Sequence, residues 1–125
     1  MADRDGDATK PRTASRVGAR SVCPVANTLD ILGDRWSLLV IRDLLKGKRR
    51  YIEFAQSPER IATNVLSERL QRLEQQGIVV ARLYRTHPPR SEYVLTPKGE
   101  ALRPVVASLR RWGLRHIPGT RVDAS

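Results

Sequence analysis

A mostly helical α+β domain with one small two-stranded sheet is the fold this sequence predicts, and three observations carry it. First, residues 63–76 form one helical period, with Leu66, Leu70 and Leu73 on one side and Gly77 as the stop. Second, the β-branched run Ile78–Arg85 and the return Ser91–Leu95 flank His87-Pro88-Pro89-Arg90, the pattern of a hairpin with a proline-stiffened tip. Third, amphipathic helices lie at both ends of the chain. The side of 63–76 away from the leucines shows Thr63, Asn64, Ser67, Glu68, Gln71, Arg72 and Gln75. Hydroxyls and amides of that kind can hydrogen-bond base edges. A polar-faced helix followed by a basic hairpin is the outline of a winged helix-turn-helix.

Composition narrows the partners. The chain has 125 residues, enough for one domain with a real core but not for two. A formal charge of +10 and a pI near 11.0 favour a polyanion, nucleic acid before an anionic membrane surface. No stretch approaches the ~18 consecutive apolar residues of a membrane span. The first residues lack the apolar core of a signal peptide, so a cytoplasmic location is expected. The single cysteine, Cys23, cannot form an internal disulfide, which fits a reducing compartment.

Taken in order, residues 1–21 are polar, of mixed charge and without hydrophobic period, and read as a flexible basic arm that touches DNA phosphates, crosses to a second subunit, or does neither. Residues 22–118 form the folded domain and 119–125 a tail. Cys23-Pro24 opens a first helix with Val25, Leu29 and Leu32 as its stripe and Gly33 as its end. Asp34 caps a second helix through Trp36 to Leu45, apolar nearly all round and therefore the core helix. Lys46, Lys48, Arg49 and Arg50 follow at its C-terminus, where cations complement the helix dipole or meet phosphate. Tyr51–Ser57 is a short helix, and Ser57-Pro58-Glu59-Arg60 a turn, because proline disfavours a helical Ser57. Thr63 is the expected cap of the next helix. Thr96-Pro97 caps a last, long helix on which Leu102, Val105, Val106, Leu109, Trp112 and His116 fall at steps of three and four. Pro104 kinks it or marks where its regular part begins. That stripe is longer than a small domain can cover by itself, so with the first helix it makes a natural dimer interface.

With these residues in place, the chain resembles the HxlR family of bacterial winged-helix regulators. The likeness runs from Cys23 to Gly113. It rests on Cys-Pro-Val at 23–25, Leu29-Asp30-Ile31-Leu32-Gly33 with Trp36 three residues on, the leucines ending at Gly77, the run from Pro88 to Gly99, and Trp112-Gly113. The resemblance implies a homodimer held by the first and last helices, a recognition helix in the major groove with a wing beside it, and control of nearby genes, in some members switched by reactive electrophiles. Two departures stand out. Many members carry Pro-Gly-Ile-Ser before the recognition helix, where this chain has Pro58-Glu59-Arg60-Ile61-Ala62, so the usual cap serine is Ala62. Gln56 stands where a basic residue is common.

The candidate site follows from how a helix-turn-helix docks, with the N-terminal half of its second helix on base edges. That selects Thr63, Asn64, Ser67 and Glu68, with Gln71 and Arg72 reaching flanking bases or backbone. Asn64 suits adenine; Glu68 can accept from cytosine N4, though an intrahelical pair with Arg72 is the preferred use. Arg69, beside the buried stripe, reads as structural. Arg85, His87 and Arg90 of the wing face phosphate or the minor groove, and Lys48, Arg49 and Arg50 add phosphate contacts. Val25, Leu29, Leu102, Val106, Leu109, Trp112 and His116 are the expected dimer contacts. Cys23 at a helix N-terminus is either a thiol reactive toward oxidants and quinones or a small hydrophobe at the dimer contact.

The expected partners are double-stranded DNA with a pseudo-palindromic operator, a second copy of the chain, and a small-molecule or electrophile inducer, with no membrane and no cofactor. An enzyme is not expected. The sequence offers no zinc-ligand cluster, no glycine-rich phosphate loop and no paired carboxylates, and a Cys–His nucleophile would need Cys23 beside His87, expected at the wing tip, or His116, expected at the end of a remote helix. The competing readings are a winged helix used for protein contacts and a small basic RNA-binding protein. The latter would want more exposed aromatics for stacking than the chain supplies.

Overall fold

The computed structural model describes residues 21–122, so the basic arm up to Arg20 and residues 123–125 of the tail lie outside the described residues. Its elements in order are α1 (Pro24–Leu32), α2 (Arg35–Leu45), α3 (Tyr51–Ala55), α4 (Thr63–Gln75), β1 (Val79–Thr86), β2 (Pro89–Leu95), α5 (Pro97–Glu100) and α6 (Arg103–His116). The predominantly helical α+β fold with a two-stranded antiparallel wing is the one the sequence predicts.

The core forms where α2 crosses α4. Val40, Ile41 and Leu44 of α2 meet Leu66, Leu70 and Leu73 of α4, with Phe54, Ile61, Ile78 and Val79 closing around them. All three α4 leucines are at most 1 % exposed, so the helical stripe is the packed face. Asp34 caps α2 as expected, its Oδ1 accepting from the Ser37 N–H at 2.7 Å.

The α4 start differs from expectation. Thr63 is the first helical residue, not the cap; the cap position belongs to Ala62, whose methyl group can accept nothing. The other end is closed twice over. Gly77 adopts φ 75°, the Gly77 N–H bonds the Glu74 carbonyl at 3.0 Å, and the Ile78 N–H bonds that of Leu73 at 2.9 Å. Glycine is favoured there because a Cβ resists positive φ.

Several boundaries move. The short helix ends at Ala55, not Ser57. The long hairpin tip is shorter than predicted, since Pro89 and Arg90 pair with Thr86 and Arg85 and leave His87-Pro88 as the turn. The predicted last helix is two, broken at Ala101-Leu102. Thr96 caps α5 by accepting from Gly99 N–H, and Pro104 sits in the first turn of α6, where its missing N–H costs nothing.

Arg49 and Arg50 are extended rather than a helix tail. Tyr93 N–H bonds the Arg49 carbonyl at 2.7 Å and Arg50 bridges to Glu92, which fastens the wing to the segment before α3. Gly99 lets α5 press on the hairpin base. A Cβ there would run into the Ile78 carbonyl oxygen and lie 2.7 Å from Leu95 Cδ2. No helix among the described residues is long and apolar enough to cross a membrane.

Candidate nucleic-acid interface

α4 presents a solvent face whose chemistry is set by what its neighbours leave free. Thr63, Asn64, Ser67, Glu68 and Gln71 are exposed. The Asn64 and Gln71 side chains carry no hydrogen bond among the described residues, so both keep a full amide inventory of donors and acceptor. Ser67 differs. Its hydroxyl lies 3.2 Å from that of Tyr51, which also donates to the Thr63 carbonyl at 2.8 Å.

The charged residues of α4 are more committed. Arg69 Nε donates to Asp34 Oδ2 at 2.9 Å, and Arg72 Nη1 lies 3.5 Å from the same oxygen. Arg69 is thus the structural arginine its position beside the leucines suggests. Glu68 pairs with Arg69 and, at 3.9 Å, with Arg72 one turn on. The intrahelical Glu68–Arg72 pair therefore forms, and Arg72 is held from two sides. Burial opposes charge on Asp34, but hydrogen bonds from Ser37 and the positive charge of Arg69 and Arg72 outweigh it and hold the carboxyl below its ordinary range.

Beneath the turn before α4 lies a charge network that the sequence does not announce. Arg42 forks onto Glu59, Nη1 to Oε2 at 2.9 Å and Nη2 to Oε1 at 2.8 Å, and also donates to Asp43 Oδ1. Asp43 Oδ2 takes the Ser57 hydroxyl. Arg42, Asp43 and Ser57 are buried. The Glu59 carboxyl is held low chiefly by its hydrogen bonds from Arg42. The missed signal is a charged pair, Arg42-Asp43, inside an otherwise apolar helix: buried charges need partners, and the partners are in the turn. Lys48 joins this network, its Nζ 2.9 Å from Ser57 Oγ and 3.6 Å from Asp43 Oδ1. The expected phosphate contact is corrected on this point, because the ammonium turns inward toward a buried carboxylate.

The turn so anchored bends through Arg60 at φ 58°, the one positive-φ residue other than glycine among those described. Arg60 precedes Ile61 as glycine precedes isoleucine in the Pro-Gly-Ile-Ser turn. Left-handed backbone costs a residue with a Cβ about 1–2 kcal/mol, and the Arg42–Glu59 fork beside it helps to offset that strain.

On the wing, Arg85, His87 and Arg90 are exposed. His87 Nδ1 lies 3.2 Å from Thr86 Oγ1 at the tip. Arg82 pairs loosely with Glu92 at 3.5 Å. Arg50 stacks its guanidinium 4.0 Å above the Tyr84 ring, which tethers it to the wing, while Arg49 is exposed. The polar face of α4 and the cations of the hairpin together are the inventory for a groove and its flanking phosphates.

The expected dimer contacts divide. Val25, Leu29, Leu109 and Trp112 lie 51–67 % exposed, an apolar face without cover in the single chain, and His116 stacks on Trp112 at 4.9 Å between centroids. Val106 is corrected: at 8 % exposure it belongs to the chain's own core, with Leu102 packed against the same cluster. Val105, Leu114 and Ile117 are exposed apolar residues that the expected dimer contacts leave out. Cys23 is exposed and takes the cap position of α1 without a side-chain cap bond.

Comparison with known proteins identifies relatives of the same fold. The HxlR-like helix-turn-helix family matches residues 31–121. The chain is 36 % identical over 94 residues to the HTH-type transcriptional regulator YdeP of Bacillus subtilis (strain 168), covering 75 % of this chain and 73 % of that one. It is 37 % identical over 92 residues to the HTH-type transcriptional regulator sll1512 of Synechocystis sp. (strain ATCC 27184 / PCC 6803 / Kazusa), covering 74 % and 68 %. Among solved structures, the redox regulator HypR in its reduced form superposes with a TM-score of 0.71 at 34 % identity, covering 77 % of this chain and 95 % of that one.

Proposed function

The chain belongs to the HxlR-like helix-turn-helix family, and from that premise we propose that this DNA-binding transcriptional regulator acts as a cytoplasmic, non-catalytic homodimeric repressor. α4 enters the major groove of duplex DNA with Thr63, Asn64, Ser67 and Gln71 on base edges. The wing lays Arg85, His87 and Arg90 on phosphate or the minor groove, and Arg49 adds a phosphate contact. Glu68 and Arg72 shape the field of α4 from within their own ion pairs.

The observation that carries this reading is the exposed polar face of α4, on which the Asn64 and Gln71 amides carry no side-chain hydrogen bond among the described residues, beside an exposed basic hairpin in a chain of net charge +10. The dimer rests on the uncovered apolar face of α1 and α6, where Leu29, Leu109 and Trp112 stand in water. Two-fold pairing of that face would set two copies of α4 on successive half-sites about one duplex turn or a multiple apart. Cys23 is the residue through which an oxidant or electrophile acts in this reading, since its thiol is exposed at the start of α1. A thiol titration that finds Cys23 unreactive in the folded dimer removes that part alone.

Selection from a pool of random duplexes by the full-length protein tests the function. A pseudo-palindromic sequence should be enriched. Retention of duplexes without any enriched sequence would contradict operator recognition.

A further inference from the structure

Tyr51 is the first residue of α3, and its hydroxyl spans to the start of α4, 2.8 Å from the Thr63 carbonyl oxygen and 3.2 Å from Ser67 Oγ. A phenol carries one proton, and a carbonyl oxygen can only accept. The Tyr51 proton therefore goes to Thr63. The contact between the two hydroxyls, 3.2 Å apart, is then satisfied when Ser67 donates its proton to the Tyr51 oxygen. Ser67 is exposed on the polar face of α4, one turn from Asn64. With its only proton turned inward, the Ser67 oxygen meets the outside with lone pairs alone.

We propose that Tyr51 is a positioning residue that fixes Ser67 as an obligate hydrogen-bond acceptor, so that Ser67 reads the exocyclic amino group of adenine or cytosine in the major groove and rejects guanine and thymine at that position. The inference rests on the DNA-binding reading above and narrows it. Adenine N6 and cytosine N4 are the amino donors in the major groove, whereas guanine O6 and N7 and thymine O4 are acceptors, as are phosphate oxygens. A serine with a free rotor serves either class, because its proton turns to suit. Here the rotor is held, and Ser67 is an amino-group reader rather than a phosphate anchor. Asn64, with both amide functions free, keeps the two-sided inventory that Ser67 lacks.

The test uses the full-length protein and the duplex it selects. Each position of that site is replaced in turn, and binding is measured for wild type, Ser67→Ala, Ser67→Thr and Tyr51→Phe. The base under Ser67 is the one whose preference disappears in Ser67→Ala. Wild type should want adenine or cytosine there, and a nucleobase lacking the amino group should weaken binding about fivefold, the worth of one ordinary hydrogen bond. Ser67→Ala should be indifferent to that deletion, and Ser67→Thr should keep the preference. Tyr51→Phe should relax that one position, admitting guanine or thymine, while the preferences at all other positions hold. A general loss of folding or affinity in Tyr51→Phe would blunt every position alike, and that result contradicts the proposal. So does a guanine or thymine preference under Ser67, or a preference that Tyr51→Phe leaves intact. Failure to select any duplex would instead overturn the DNA-binding reading and this inference with it.

Discussion

Asp34 and Arg69, 35 residues apart in sequence, meet at 2.9 Å, and through them the start of the core helix grips the middle of α4. The same carboxylate caps α2 and faces Arg72, so one side chain fixes a helix end and the placement of α4 together. Aspartate at a cap is ordinary; its second duty is what links the core to the interface.

The two duties separate by substitution. Asp34→Asn keeps a good cap but removes the charge, and should cost up to about 1 kcal/mol at neutral pH, the range for partly exposed ion pairs. Asp34→Ala loses the cap as well, about 1 kcal/mol more. Because the folded carboxyl titrates below its ordinary value of 3.8, its contribution is fully present above that value and is lost as the pH falls through the lower folded one. Urea unfolding should show the gap between wild type and Asp34→Asn closing as the pH is lowered below 3.8. An Asn variant as acid-sensitive as wild type contradicts this.

Arg42 is the keystone of the buried network. Arg42→Leu leaves Asp43 buried with only Ser57 and Lys48 beside it, and should lower the unfolding free energy by about 3 kcal/mol, the lower end for breaking a buried pair. Glu59→Gln, in a more exposed position, should cost less. Equal unfolding midpoints for wild type and Arg42→Leu would show that the network does not hold the turn.

The apolar face of α6 predicts an assembly defect without a folding defect. Leu109 is 51 % exposed, so Leu109→Asp should leave single-chain stability within about 0.5 kcal/mol, as surface changes do. Sedimentation should then report a monomer, with operator affinity reduced at least tenfold. A variant that sediments as a dimer refutes the assignment of this face.

The wing predicts a salt signature. Binding should weaken steeply with salt, and Arg85→Ala with Arg90→Ala should make the plot of log affinity against log salt shallower by about 0.9 for each phosphate that the wing no longer neutralises. Fluorescence anisotropy at several salt concentrations reads this directly. An unchanged slope would place the wing off the DNA.

Much of this was legible in the sequence because periodicity reports burial. Leu66, Leu70 and Leu73, stopped by Gly77, identify α4 and its packed face without any long-range knowledge. Asp34 and Thr96 announce their helices by local capping chemistry. What stayed hidden depends on residues far apart in the chain. No pattern near Lys48 says that its ammonium turns toward Asp43 and Ser57, and a run of four nearby cations reads more naturally as a phosphate site. Arg49 and Arg50 become extended only because β2 offers Tyr93 and Glu92 as partners. Val106 shares a helical stripe with Leu109 and Trp112, yet it falls on the side that its own core covers. The break at Ala101-Leu102 could be suspected from Pro104, but a proline in the first turn and a proline at a kink look alike until the helix is seen.

Whether this protein reads an operator as a two-fold pair is decided by footprinting the full-length chain on the DNA upstream of its own gene. Two protected segments of pseudo-palindromic sequence should appear, their centres about one helical turn or a multiple apart. Uniform protection that follows protein concentration without sequence boundaries would contradict operator recognition by a paired α4.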